Sequence, residues 1–274
     1  MFVPVDGGDL AVEIHDGDTP PVLAIHGVSG SRELWNWVAA HRFSLIAPDL
    51  RGRGDSFEVP GAGIGQHADD MVRVLDALDL QAVTVCGMSM GAYVAVDLAV
   101  RHPDRVRSLV LVDGGFPMPA HAQMTEELLS AAFAPQVAAR ERTWTVDEYL
   151  AVQAAANPLI DATDPLVRDY FAHDLTADGH LRLPADTLIA DATDVIFGKS
   201  RWRELTVPTW FLHAEWSTGP DSPPAYSVEQ AQEFRAALPV LREPVLINEV
   251  DHGGTVMTRA GAAVTAEVLA ETLK

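Results

Sequence analysis

Apolar residues along this chain follow two periods in turn. Compact runs rich in β-branched residues, Val22 to Ile25, Phe43 to Ala47, Ala82 to Cys86, Ser108 to Val112, Val207 to His213 and Val245 to Ile247, read as buried strands. Elsewhere the spacing lengthens to that of a helix. Gln66 to Leu78 sets Met71, Val74, Leu75 and Leu78 on one face, Ala92 to Val100 follows a strand directly, and Ala260 to Leu273 reads as a closing helix. Leu10 to His15 reads as an early antiparallel strand, with Asp16 to Pro21 as the turn that follows it. Strand and helix signals that alternate in this way predict an α/β fold, a mostly parallel sheet with helices on both faces.

From about Phe116 to Arg201 the alternation stops. Helix-like pieces near Ala122 to Ala134, Val146 to Ala156, Pro165 to His173 and Pro184 to Phe197 are separated by proline and Asp-Gly breaks. The chain thus divides into residues 1–115 and 202–274, which supply the sheet, and residues 116–201, an inserted helical segment.

Composition narrows the class. The 274 residues are enough to bury a large core, and 48% hydrophobic content excludes a largely disordered chain. No apolar run reaches membrane-spanning length. Nineteen basic against thirty-nine acidic side chains leave a formal charge of −20, which repels nucleic acid and anionic membrane; a small-molecule substrate is the expected partner. The single Cys86 forbids an internal disulfide and reads as a small core residue. Neither it nor the ten histidines show ligand spacing, so no metal or other cofactor is expected. Met1 to Gly8 has no basic residue leading into an apolar stretch, and a cytoplasmic setting is the expectation.

The chemistry concentrates at Gly87-Met88-Ser89-Met90-Gly91, between a strand signal and a helix signal. A turn that sharp crowds the backbone, and glycines two positions before and after the serine relieve the crowding. This is the G-x-S-x-G nucleophile elbow in its expected strand–turn–helix context. His26-Gly27-Val28-Ser29-Gly30 follows one strand, and Asp49-Leu50-Arg51-Gly52-Arg53-Gly54-Asp55-Ser56 follows the next. The second of these lacks the Gly-Lys-Ser/Thr ending of a phosphate-binding loop. In this order the segments make the chain resemble the α/β-hydrolase superfamily over nearly its whole length. The resemblance implies an eight-stranded, mostly parallel sheet, with residues 116–201 as a helical cap over the active site.

A serine hydroxyl needs a base to take its proton, and the base needs an orienting acid. His252, in Glu249-Val250-Asp251-His252-Gly253-Gly254 between the last strand and the last helix, stands where the superfamily keeps its catalytic histidine. His213, at a strand end, is the runner-up. The acid departs from the usual pattern: the seventh strand customarily ends in Gly-x-x-Asp, and here the matching run is Ala214-Glu215-Trp216-Ser217. Asp113, after Leu109 to Val112, matches members that carry the acid after the sixth strand and is the choice made; Glu215 is the main alternative, with Asp221 and Asp251 behind it. By resemblance, the backbone N–H groups of Val28 and Met90 form the oxyanion hole. Met88, Met90, Phe116, Met118, Trp35 and Trp37 are candidates to line an apolar pocket.

These readings point to a cofactor-independent serine hydrolase that cleaves an ester, lactone or similarly activated carbonyl bond through an acyl-enzyme. A thioesterase, perhydrolase or carbon–carbon bond hydrolase would use the same groups. Ser89 excludes relatives that employ an aspartate nucleophile. A non-catalytic ligand-binding protein on the same scaffold is the alternative from another class.

Overall fold

The computed structural model describes residues 1–274. Eight strands, β1 (Phe2–Val5), β2 (Gly8–His15), β3 (Val22–Ile25), β4 (Leu45–Pro48), β5 (Val83–Met88), β6 (Val106–Val112), β7 (Thr209–Ala214) and β8 (Val245–Ile247), form one sheet in the order β1-β2-β4-β3-β5-β6-β7-β8. The pairs β1–β2 and β2–β4 are antiparallel and the remainder parallel. The fold expected from the sequence is the fold observed. β5 lies between β3 and β6, so the turn that carries Ser89 opens at the centre of the sheet, at the carboxyl ends of the parallel strands. That edge is where open α/β sheets place their ligands.

The central strands are apolar on both faces because both faces are covered. Ile64–Ala77 and Met90–Arg101 pack on one side, burying Met71, Val74 and Leu75 with Leu98. On the other, Arg259–Thr272 and the segment around Trp35 and Trp37 bury Val22, Ala24, Val110 and Leu212. No helix is long and apolar enough to cross a membrane.

Residues 116–201 contribute no strand to the sheet. Their helices are Glu126–Ala138, Val146–Ala156, Pro165–His173 and Ala185–Phe197, close to the sequence expectation. Local capping explains the boundaries. Thr145 and Glu148 form a reciprocal capping box, and Asp164 caps a helix that starts on Pro165. Polar ties hold this segment to the core: Asp191 accepts from Gly63 N at 2.5 Å, Asp194 accepts from Ile64 N at 2.7 Å, and Asn157 Nδ2 donates to Asp251 at 2.7 Å. Phe116 itself belongs to the core, its ring stacked on Phe234 and edge-on to Phe211 and Trp202.

Candidate active site

Ser89 sits between β5 and the helix Met90–Arg101 with φ 56° and ψ −121°, a backbone state that L-residues avoid and that surrounding structure must enforce. The enforcement is visible. Ser89 N donates to Val112 O at 2.9 Å, while a Cβ on Gly87 would overlap the Gly91 carbonyl and one on Gly91 would overlap the carbonyl of Ile25. Only glycine fits either position. The side chain of Ser89 is left half-buried at the strand ends.

His252 is brought to Asp113. Its Nδ1 lies 2.6 Å from Asp113 Oδ2, and because an ionised carboxylate only accepts, Nδ1 carries the proton and Nε2 is free to act as a base. Asp113 follows β6 directly, is buried, and its other oxygen accepts from Ala214 N at 3.2 Å. Burial works to lower the His252 pKa, but the hydrogen bond and charge of Asp113, reinforced by the charge of Asp251, outweigh it and hold the imidazole above its ordinary value.

The other acids are occupied elsewhere. Glu215 accepts from Glu249 N at 2.7 Å, Asp251 accepts from Asn157 and from Gly254 N, and Asp221 is exposed. Ser217, at the customary acid position, has its N–H on the hydroxyl of Ser222. His213 is buried, stacked on Phe211 and bonded to the Tyr226 carbonyl, so it is a packed core residue.

The loop after β3 lies directly against the serine: a Cβ on Gly27 would stand 3.1 Å from Ser89 Cβ and 3.6 Å from its Oγ. The N–H of Val28 makes no backbone hydrogen bond. Met90 opens its helix, where N–H groups lack an intrahelical acceptor. His26 ties this loop to the next one. Its Nε2 accepts from Leu50 N at 3.0 Å and its Nδ1 donates to Gly27 O at 2.8 Å, while burial drives its pKa down to about 4 and keeps it neutral.

Arg53 is a residue whose part in the site the sequence does not reveal. Its Nε and Nη2 donate to Val28 O at 3.0 and 2.8 Å, and its Nη1 pairs with Asp191 at 2.5 Å, all within the protein interior. Burial works against ionisation of Asp191, yet the hydrogen bond and charge of His67, the charge of Arg53 and the Gly63 N–H hold its pKa down at about 2. An inserted helix is thereby tied, through one guanidinium, to the carbonyl of Val28, in the loop that lies against Ser89. A second cluster, Asp49, Asp55 and His173, brings ligand-type atoms within 4.8 Å of one another. Arg32 lies on both carboxylates, Arg182 pairs with Asp55, and His173 contacts Asp49, which makes it an ion-pair network.

A cavity of about 490 Å³ lies between the core loops and the inserted helices. It meets the site at Ser29 and Gly30, beside Val28, and at Asp251 and Gly253, on either side of His252. Its far wall carries Tyr149, Tyr170 and Phe171. The apolar lining expected from sequence is not found there. Trp35, Trp37, Met88, Met90 and Phe116 are buried in the core, and Met118 packs against it.

The alpha/beta hydrolase fold family matches residues 20–210, and the chain belongs to that family. It is by family a hydrolase. It is 30% identical over 226 residues, 76% of this chain and 75% of the relative, to a 2-hydroxy-6-oxononadienedioate/2-hydroxy-6-oxononatrienedioate hydrolase of Cupriavidus pinatubonensis. An uncharacterised protein of Mycobacterium tuberculosis is 39% identical over 104 residues, which is 36% of this chain and only 30% of that protein's length. Among solved structures, an E-2-(acetamidomethylene)succinate hydrolase superposes with a TM-score of 0.79 at 23% identity, covering 99% of this chain and 97% of the other, a likeness of fold.

Proposed function

We propose that the protein is a serine hydrolase acting on an ester, lactone or similarly activated carbonyl of a small molecule. Ser89 is the nucleophile, His252 the general base and acid, Asp113 the orienting acid, and the N–H groups of Val28 and Met90 receive the oxyanion. The observation that carries this reading is the 2.6 Å contact of His252 with Asp113, beside a serine held in a strained elbow.

Ser89 Oγ attacks the carbonyl carbon as His252 Nε2 takes its proton, and the negative charge that develops on the carbonyl oxygen meets the two N–H donors. Collapse of the tetrahedral intermediate breaks the bond to the leaving group, which receives the proton from Nε2. Water then repeats the sequence on the acyl-enzyme and releases the acid. The helices of residues 116–201 act as a cap that encloses the substrate in the cavity, and the working compartment is the cytoplasm.

A second reading, hydrolysis of a carbon–carbon bond beside a ketone, draws support from the Cupriavidus relative, whose named substrates contain no ester. Both readings need the same serine. Ser89→Ala is expected to lower turnover across a panel of p-nitrophenyl esters, lactones and vinylogous keto acids by on the order of 10⁴- to 10⁶-fold with the fold retained. Turnover near the wild-type rate in the folded variant would refute the proposal.

A further inference from the structure

Charge is unevenly spent in this chain. With thirty-nine acidic side chains against nineteen basic ones, twelve of the seventeen arginines find a carboxylate. Arg107, Arg142, Arg203 and Arg242 lack one, as do both lysines, and all six are exposed. Arg140 is different: it is half-buried, and no carboxylate lies within ion-pair distance.

Arg140 stands in the cavity wall. It sits in the short turn Ala139–Glu141, where Nε donates to Leu183 O and Nη1 to Gln136 O, which leaves Nη2 without a partner. Two carbonyls fix its direction but do not neutralise its charge. Burial lowers its pKa, with the acid groups of Tyr149 and Asp174 opposing. The other arginines of the wall are already matched, Arg53 by Asp191 and Arg182 by Asp55.

Two acidic groups share the wall, and one of them, Asp251, is already matched by Asn157 Nδ2 and the Gly254 N–H. Asp174 makes no side-chain hydrogen bond, and burial pushes its pKa up to about 7 against the opposing charges of His173, Arg140 and Arg182, with Asp49 adding to the rise. Below neutral pH it is largely a neutral acid that can donate a hydrogen bond, as the hydroxyls of Tyr149 and Tyr170 on the same wall also can. Away from Asp251, the cavity therefore presents one cation without an ion-pair partner and a set of neutral donors. That combination suits a single monoanion such as a carboxylate, for which the free Nη2 of Arg140 is a charge-assisted donor.

We propose that the cavity binds a carboxylate carried by the substrate, remote from the carbonyl attacked at Ser89, with the Arg140 guanidinium as its principal donor. This rests on the serine-hydrolase reading and deepens it: the substrate is an ester or related acyl compound of a dicarboxylic acid, or of an alcohol that bears a carboxylate. Arg140 is a specificity-determining residue. It discriminates by leaving a half-buried cation unpaired when the substrate lacks the anion.

The test compares p-nitrophenyl hemiadipate with its terminal carboxamide analogue, which differs only in charge at the far end. At pH near 6.5 the wild type is expected to favour the hemiadipate by about 10- to 100-fold in kcat/KM, the range of one charge-assisted hydrogen bond, with the difference carried by KM. Arg140→Met should bring that ratio to within about threefold of unity, and Arg140→Lys should restore part of it. A wild-type ratio near one, or a ratio that survives Arg140→Met, overturns the proposal. A binding measurement separates this outcome from failure of the hydrolase reading. Adipate should raise the melting temperature of Ser89→Ala but not that of Ser89→Ala carrying Arg140→Met as well. No adipate effect on Ser89→Ala would overturn the carboxylate site whatever the enzyme hydrolyses.

Discussion

Asp113→Asn removes one charge at the point where the account depends on it. Asp113 is fully buried after β6, with Oδ2 at 2.6 Å from His252 Nδ1 and Oδ1 on the Ala214 N–H. An asparagine of the same size can keep the Ala214 contact through its carbonyl oxygen. Its amide nitrogen then faces Nδ1 as a donor and selects the tautomer with the proton on Nε2, which cannot accept from Ser89. In a serine triad this error costs about 10⁴ in turnover, or roughly 5.5 kcal/mol of transition-state stabilisation. Glu215 supports only the Glu249 N–H, so Glu215→Gln is expected to lose less than about tenfold. Steady-state hydrolysis of a p-nitrophenyl ester, with circular dichroism to confirm folding, reads both. A folded Asp113→Asn within tenfold of wild type, or a Glu215→Gln that is the worse of the two, would refute Asp113 as the orienting acid.

Two further outcomes follow from the same geometry. Because Asp113 holds the His252 pKa above 6.5, the free base is lost as pH falls, and the acidic limb of kcat/KM for a neutral ester should have its midpoint above 6.5; a pH profile flat down to pH 5 would contradict this. Arg53→Met takes the permanent cation from Asp191, leaving it His67 and the Gly63 N–H, and frees the Val28 carbonyl, so it should lower stability by about 3 kcal/mol in urea unfolding. The same variant should weaken an alkyl boronic acid, which mimics the tetrahedral intermediate, by more than it raises KM; equal effects on both would show that Arg53 has only a structural role.

Where function depends on local backbone chemistry, the sequence was legible. The elbow could be read because glycines two residues from a serine have a steric reason to be there: the Gly91 and Ile25 carbonyls pack where a Cβ on Gly87 or Gly91 would stand. The acid was readable only as a choice, since Ser217 vacates the customary place and both Asp113 and Glu215 end strands. Strand pairing separates the two in space: β6 and β7 run in parallel register, with Val112 beside Leu212, and Asp113 contacts His252 while Glu215 turns to Glu249. β1 escaped notice because its four residues contain Pro4 and bury one strong apolar position, Val3, which suits an edge strand and gives no periodic signal. The helix Val228–Ala237 was missed for a similar reason, since Ala231 is its buried residue. Aromatic content misled: Trp35, Trp37 and Phe116 look like pocket lining in sequence and are core in space. The Asp191–Arg53–Val28 chain joins segments far apart along the polypeptide, and no local pattern announces it.

Covalent capture of the serine tests the central claim most directly. Intact-protein mass spectrometry after exposure to a fluorophosphonate, followed by peptide mapping, is predicted to show one adduct, on Ser89, absent from Ser89→Ala and formed far more slowly in Asp113→Asn. Folded wild-type protein that takes up no label, or takes it at another residue with Ser89 unmodified, would contradict the account and leave the fold as a scaffold without an activated nucleophile.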